Sequence, residues 1–122
     1  MSHMIVKLLK DGHPQSGMGP SDLVEASAFT TSDTTETIHA FCDAPGRNDL
    51  SVGVWECAPC REEIAAYPCD EMMQVLSGSV TLTDKDGNAQ TFTTGDTFFI
   101  AKGTPCVWEI TETLRKFYML VN

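Results

Sequence analysis

Cys57-Ala58-Pro59-Cys60 is a Cys-x-x-Cys, the spacing that elsewhere signals redox chemistry or zinc. The redox form places its first thiol at a helix N-terminus in a βαβ unit, where the dipole lowers its pKa. Here the pair follows a strand-like segment, so a thioredoxin-like role is not expected. A zinc site built from Cys57, Cys60 and Cys69, with Cys106 as fourth ligand, is chemically sound. No second Cys-x-x-Cys completes the usual pattern, and a disulfide formed on handling is the competing outcome. His3, His13 and His39 have no second His at ligand spacing, and Arg61-Glu62-Glu63 reads as a solvated face or loop. No Gly-rich phosphate loop, nucleophile elbow or Ser/His/Asp arrangement occurs.

The totals exclude several classes of partner. The formal charge is −9, with only 8 Lys and Arg. Nucleic acid and anionic membranes require a concentrated basic surface, so neither is an expected partner. No apolar run is long enough to span a bilayer. No export signal is visible at the amino end, which sets a cytoplasmic expectation. In that compartment the 5 cysteines are expected to be reduced and buried as small hydrophobes. The 122 residues suffice for one domain with one core.

The elements that must position any site are strands. Leu50, Val52 and Val54 alternate with Ser51, Gly53 and Trp55, a period of two that puts each set on one sheet face. Strand patterns follow at 64–67, 72–76, 79–83, 90–93, 97–100, 106–110 and 116–121. Asp86-Gly87 marks a hairpin, with type I′ geometry as the first expectation. Residues 1–49 are less patterned: a short edge strand is expected at Ile5–Leu9, one helical turn from Ser21, and a strand at Ile38–Cys42. Many short strands separated by turns indicate an all-β sandwich or barrel.

Glu71 to Gly78 and Gly95-Asp96 to Gly103 resemble the two motifs of the cupin superfamily. More narrowly, Gly53-Val54-Trp55-Glu56, Tyr67-Pro68-Cys69-Asp70-Glu71, Trp108-Glu109 and Arg115-Lys116-Phe117-Tyr118 resemble single-domain cupins grouped with (S)-ureidoglycine aminohydrolase-like and ethanolamine-utilisation proteins. The resemblance implies an antiparallel cupin-type jelly-roll β-barrel. Residues 50–122 would form the barrel core, and 1–49 an arm and first strands of the same domain. It also implies a homodimer paired through an added strand near Ile5–Leu9.

The resemblance also says where chemistry would sit. Metal-binding cupins place two His ahead of the motif Glu and a third His in the second motif. Those places fall on Ala65, Tyr67 and Cys106, leaving Glu71 as the one unchanged ligand. A first-row metal wants three or four converging N, O or S ligands. No cofactor is therefore expected; if a divalent metal is bound, Glu71 and Cys106 are its ligands. The barrel register points Glu71 inward, on the face of Met73 and Val75, as a candidate acid/base whose pKa burial would raise. Its structural alternative is a hydrogen bond to Tyr67, Lys102 or Lys116. Tyr67, Cys106, Trp108, Lys102 and Met73 are the candidate ligand-binding residues, each with a plain core or surface role as the alternative. A small polar molecule is the expected partner; a metal-dependent aminohydrolase and a non-catalytic scaffold are the other readings.

Overall fold

The computed structural model describes residues 4–122. Its strands are β1 (Gly19–Pro20), β2 (Glu36–Ala44), β3 (Leu50–Cys57), β4 (Cys60–Ile64), β5 (Asp70–Asp84), β6 (Ala89–Thr93), β7 (Thr97–Ile100) and β8 (Cys106–Val121). All pairings between them are antiparallel. The arrangement is a jelly roll, as the motifs imply, although the sheet is not strictly closed: β4 pairs only with β8, and β6 only with β5. Among the described residues, no helix is long and apolar enough to cross a membrane.

Two long strands organise the molecule. β5 and β8 run 15 and 16 residues, where the sequence pattern suggests two short strands in each place. The first half of β5 pairs with β7 and with the second half of β8, which also carries β3. The second half of β5 pairs with β6 and with the first half of β8, which carries β4. Each long strand therefore serves both faces of the sandwich. The ladder shifts register between Val75 and Thr81, and the inward set changes from Glu71, Met73 and Val75 to Val80 and Leu82. Bulges of this kind bend a strand while keeping most of its pairing.

Gly78 sits in that bend at φ 78°. A Cβ there would lie 1.9 Å from the carbonyl oxygen of Thr113 on β8. The motif glycine is thus required twice, by its left-handed backbone and by the close approach of the neighbouring strand.

Three local expectations are corrected. The β5–β6 hairpin forms, but only Gly87 has positive φ. Its bonds from Gly87 N to Asp84 O and from Asp84 N to Asn88 O describe a type I turn followed by a left-handed glycine. Second, Ser21–Glu25 is not helical; a single 3₁₀ turn forms at Ala26–Ala28. The reason is a competing acceptor, because the Ser21 hydroxyl and the Leu23 and Val24 amides all donate to the Glu36 carboxylate. Third, Ile5–Leu9 forms no strand within the chain, and Ile5 is fully exposed. His3 lies outside the described residues.

Gly78→Ala is expected to cost at least about 3 kcal/mol, because strained backbone and a backbone clash add. Gly87→Ala, where nothing lies within 4 Å of a new Cβ, should cost about 1 kcal/mol. Urea denaturation of the two variants measures the contrast.

Candidate functional site

Between the two layers lies a cavity of about 550 Å³, with β2, β3, β4, the start of β5, β8 and the 21–24 segment around it. Its polar floor comes from adjacent long strands. Lys116 stands opposite Val75 in the β5–β8 ladder and reaches along the inner face to Glu71. Lys116 Nζ lies 2.9 Å from Glu71 Oε2, and both side chains are buried. Tyr67 donates its hydroxyl to Glu71 Oε1 at 2.6 Å. Met73, fully buried, places its sulfur 2.9 Å from the same ammonium.

The ammonium is also held from above and below. It lies 4.8 Å from the ring centroids of both Trp55 and Trp108. Trp55 is the β3 ladder partner of Lys116, whereas Trp108 comes from the other half of β8. A cation against an indole face is stabilised by about 0.5–2 kcal/mol, the more so when desolvated. Lys116 thus has a carboxylate, a thioether and two π faces as neighbours in place of water.

A second carboxylate fixes this wall. Glu36 is buried and accepts from the Trp55 indole N–H at 2.9 Å as well as from Ser21, Leu23 and Val24. It ties the strand carrying Trp55 to the segment that brings Leu23 and Val24 over the cavity. Tyr67 is fixed by its backbone, which exchanges bonds with Gly103 and Thr104. Burial, and then the Glu71 charge, push the Tyr67 phenol up, so it stays a donor. Tyr118 shares its hydroxyl with Ser51, which in turn donates to Asp43.

Of the residues singled out from the sequence, Glu71, Tyr67 and Trp108 line this cavity together. Met73 lies beneath it, against Lys116. Lys102 is exposed and contributes only a backbone amide, which donates to Asp70. Cys106 lines a different cleft of about 400 Å³, beside stacked Phe92 and Phe98. Burial raises its thiol pKa. Met72 and Met119 are exposed on the outer face, as alternation with Met73 and Tyr118 requires. Lys116, Trp55, Glu36 and Glu62 complete the site. Lys116 was legible only as a partner of Glu71, while Glu62 was hidden in a stretch that reads as solvated.

Glu71 is therefore an acid with a partner, and this bears on the metal that cupins carry. An ion at Glu71 would meet the ammonium already bonded there, and Cys106 faces another cleft. Among the described residues, no three His, Cys, Asp or Glu side chains converge as a metal site. The four-cysteine zinc arrangement is likewise not assembled: Cys57 and Cys60 are buried free thiols in contact with each other, which pushes the Cys57 thiol up. Among the described residues, the donors around Glu71 do not fit a metal.

The family model for EutQ-like cupin domains matches residues 47–118. The chain belongs to the EutQ-like cupin family. A DUF861-family protein of unknown function from Pseudomonas syringae pv. tomato superposes with a TM-score of 0.79 at 27% identity, over 93% of this chain and 46% of that one. This chain thus spans about half the length of that relative. The Clostridium difficile EutQ protein gives 0.60 at 18% identity, over 80% and 79% of the two chains. A DUF861-family protein from Thermotoga maritima gives 0.51 at 31% identity, over 55% and 75%. No curated protein matches the chain.

Two outcomes test this cupin site. Lys116→Met should cost about 3–5 kcal/mol, since it strands a buried carboxylate. Glu71→Leu combined with Lys116→Met should be well below the sum of the single changes, by more than about 2 kcal/mol in a double-mutant cycle. Glu62 behaves differently: burial first, then the charges of Glu25 and Glu36, raise its pKa. Lys116, Glu71, Tyr67, Tyr118 and Cys69 also face the cavity. A carboxyl raised by folding holds its proton longer in the folded state, so its contribution to stability falls as pH rises from the ordinary carboxylate value through the raised one. Glu62→Gln should therefore raise Tm at pH 7, and the gain should vanish below the ordinary carboxylate range.

Proposed function

We propose that this EutQ-like cupin binds a small polar molecule in the inter-layer cavity, with the Glu71–Lys116 pair and Tyr67 as its polar floor. The observation that carries the reading is a buried ion pair at the foot of an open space of about 550 Å³. A buried pair gives the fold little that well-packed apolar residues would not give. Unfilled interior volume also forfeits packing. A fold that keeps both gains from them when a ligand enters. Ligand sites share this composition, with mostly apolar walls and a few convergent polar groups.

The wall chemistry suits a molecule that both donates and accepts. Glu71 and the Tyr118 hydroxyl oxygen accept, the latter because its proton goes to Ser51, the Lys116 ammonium donates, and the two indoles give flat apolar sides. If the cavity also performs chemistry, Glu71 is the group placed to take a proton from the bound molecule, with Lys116 stabilising the charge that develops. The ureidoglycine aminohydrolase-like subtype implied by the motifs would require a metal, for which the donor set offers no support. The scaffold reading would be favoured by a cavity filled with side chains, and the open volume weighs against it.

Thermal-shift screening of a polar metabolite panel tests the reading. A ligand present at 100 times its Kd should stabilise the fold by about 2.7 kcal/mol, and the shift should be lost in Glu71→Gln. Manganese, nickel, iron and zinc should leave Tm unchanged. A stoichiometric metal whose removal by chelator abolishes ligand binding would overturn the proposal.

A further inference from the structure

We propose that the molecule this cavity takes carries a small organic cation, an alkylammonium or quaternary ammonium group, matched by the Glu62 carboxylate beside Trp108. The inference rests on the cavity being a ligand site and adds the charge class of its ligand. Three charged side chains line the cavity: Glu62, Glu71 and Lys116. Glu71 and Lys116 neutralise each other at 2.9 Å. None of the four ion pairs among the described residues includes Glu62.

Its neighbours on the strand make the contrast. Arg61 and Glu63 point outward and pair with each other, both well exposed. Glu62 lies between them on the inward face, half-buried, opposite Trp108 in the β4–β8 ladder. Carboxylate and indole therefore share one wall as adjacent cross-strand side chains. A carboxylate next to an aromatic face is selective for one charge sign, because both attract a cation and both repel an anion. The remaining wall offers no free base for an anion, since the one lining ammonium already holds Glu71. Ile38, Ile64 and Leu120 supply an apolar surface for the carbon part of such a ligand.

Burial and the neighbouring acids Glu25 and Glu36 work against the Glu62 charge. A ligand cation would relieve that repulsion. The carboxylate thus loosens the empty protein and tightens the complex.

The experiment uses three probes of one shape: choline, its uncharged analogue 3,3-dimethyl-1-butanol, and the anion 3,3-dimethylbutanoate. The chain has 2 tryptophans, and both line the cavity, so intrinsic fluorescence reports the site alone. Choline should bind about tenfold tighter than the neutral analogue, and the anion should bind weakest. In Glu62→Gln the preference for choline should disappear while binding of the neutral analogue persists. The same variant is expected to be more stable at pH 7, so the loss would not reflect unfolding. Equal binding of choline and its neutral analogue, or the anion binding tightest, would overturn the cation assignment and leave the ligand cavity standing. A choline preference that survives in Glu62→Gln would overturn the role of Glu62. No response to choline overturns the proposal whatever the metabolite panel shows, and silence to both probes and panel removes the ligand cavity with it.

Discussion

The Glu71–Lys116 ion pair is the constraint around which this cupin is built. A carboxylate and an ammonium withdrawn from water each lose several kcal/mol of solvation, and their attraction repays this only when the remaining lone pairs and protons also find partners. The structure supplies them. The Tyr67 hydroxyl takes the second carboxylate oxygen, the Met73 sulfur lies under the ammonium, and two indoles flank it. Removing any of these neighbours leaves charge in a low-dielectric interior, so residues from β3, β5, β8 and the 65–69 loop are coupled through one pair.

The strand architecture is what brings those neighbours together. Glu71 and Lys116 meet because β5 and β8 are adjacent antiparallel strands sharing an inner face. Trp55 and Trp108 meet, with ring centroids 6.2 Å apart, because β8 bends from one layer into the other. The bend of β5 is possible at Gly78, where the backbone is left-handed and Thr113 leaves no room for a Cβ. Glu36 completes the frame from the far side by holding Trp55 and the 21–24 segment on a single carboxylate. In this fold the ammonium of a lysine lies against the glutamate that metal-binding cupins use as a ligand. The interior is therefore organised by a tethered cation.

The sequence makes the architecture legible where local chemistry and global fold agree. Alternation at 50–55 and at 71–75, the Asp-Gly turn and the spacing from Glu71 to Gly78 all reflect period-two pleating and backbone geometry. The inward direction of Glu71 and the choice of Tyr67 beside it are implied by the resemblance to the cupin motifs, whereas Trp108 is grouped with them through its two-residue spacing from Cys106. The continuity of β5 and β8 was hidden, because a bulge changes which residues face inward and imitates a strand break. Cys106 illustrates a second limit. It shares a strand with Trp108, but the two motifs say nothing about which of two clefts a given inward residue lines. Lys116 and Glu62 show a third. A lysine in a strand reads as surface and an acid within Arg61-Glu62-Glu63 reads as solvated, since burial of a charge depends on partners far away in the chain. Ser21–Glu25 failed as a helix for that reason also: its donors are claimed by Glu36, 12 to 15 positions onward.

A crystal structure of the protein soaked in manganese, with anomalous data collected, would show whether a lysine or a metal ion holds the Glu71 carboxylate. The Lys116 ammonium is expected within hydrogen-bonding distance of the Glu71 carboxylate, between the two indoles, with no anomalous peak in the cavity. A manganese ion coordinated by Glu71, with Lys116 turned away from it, would contradict this arrangement.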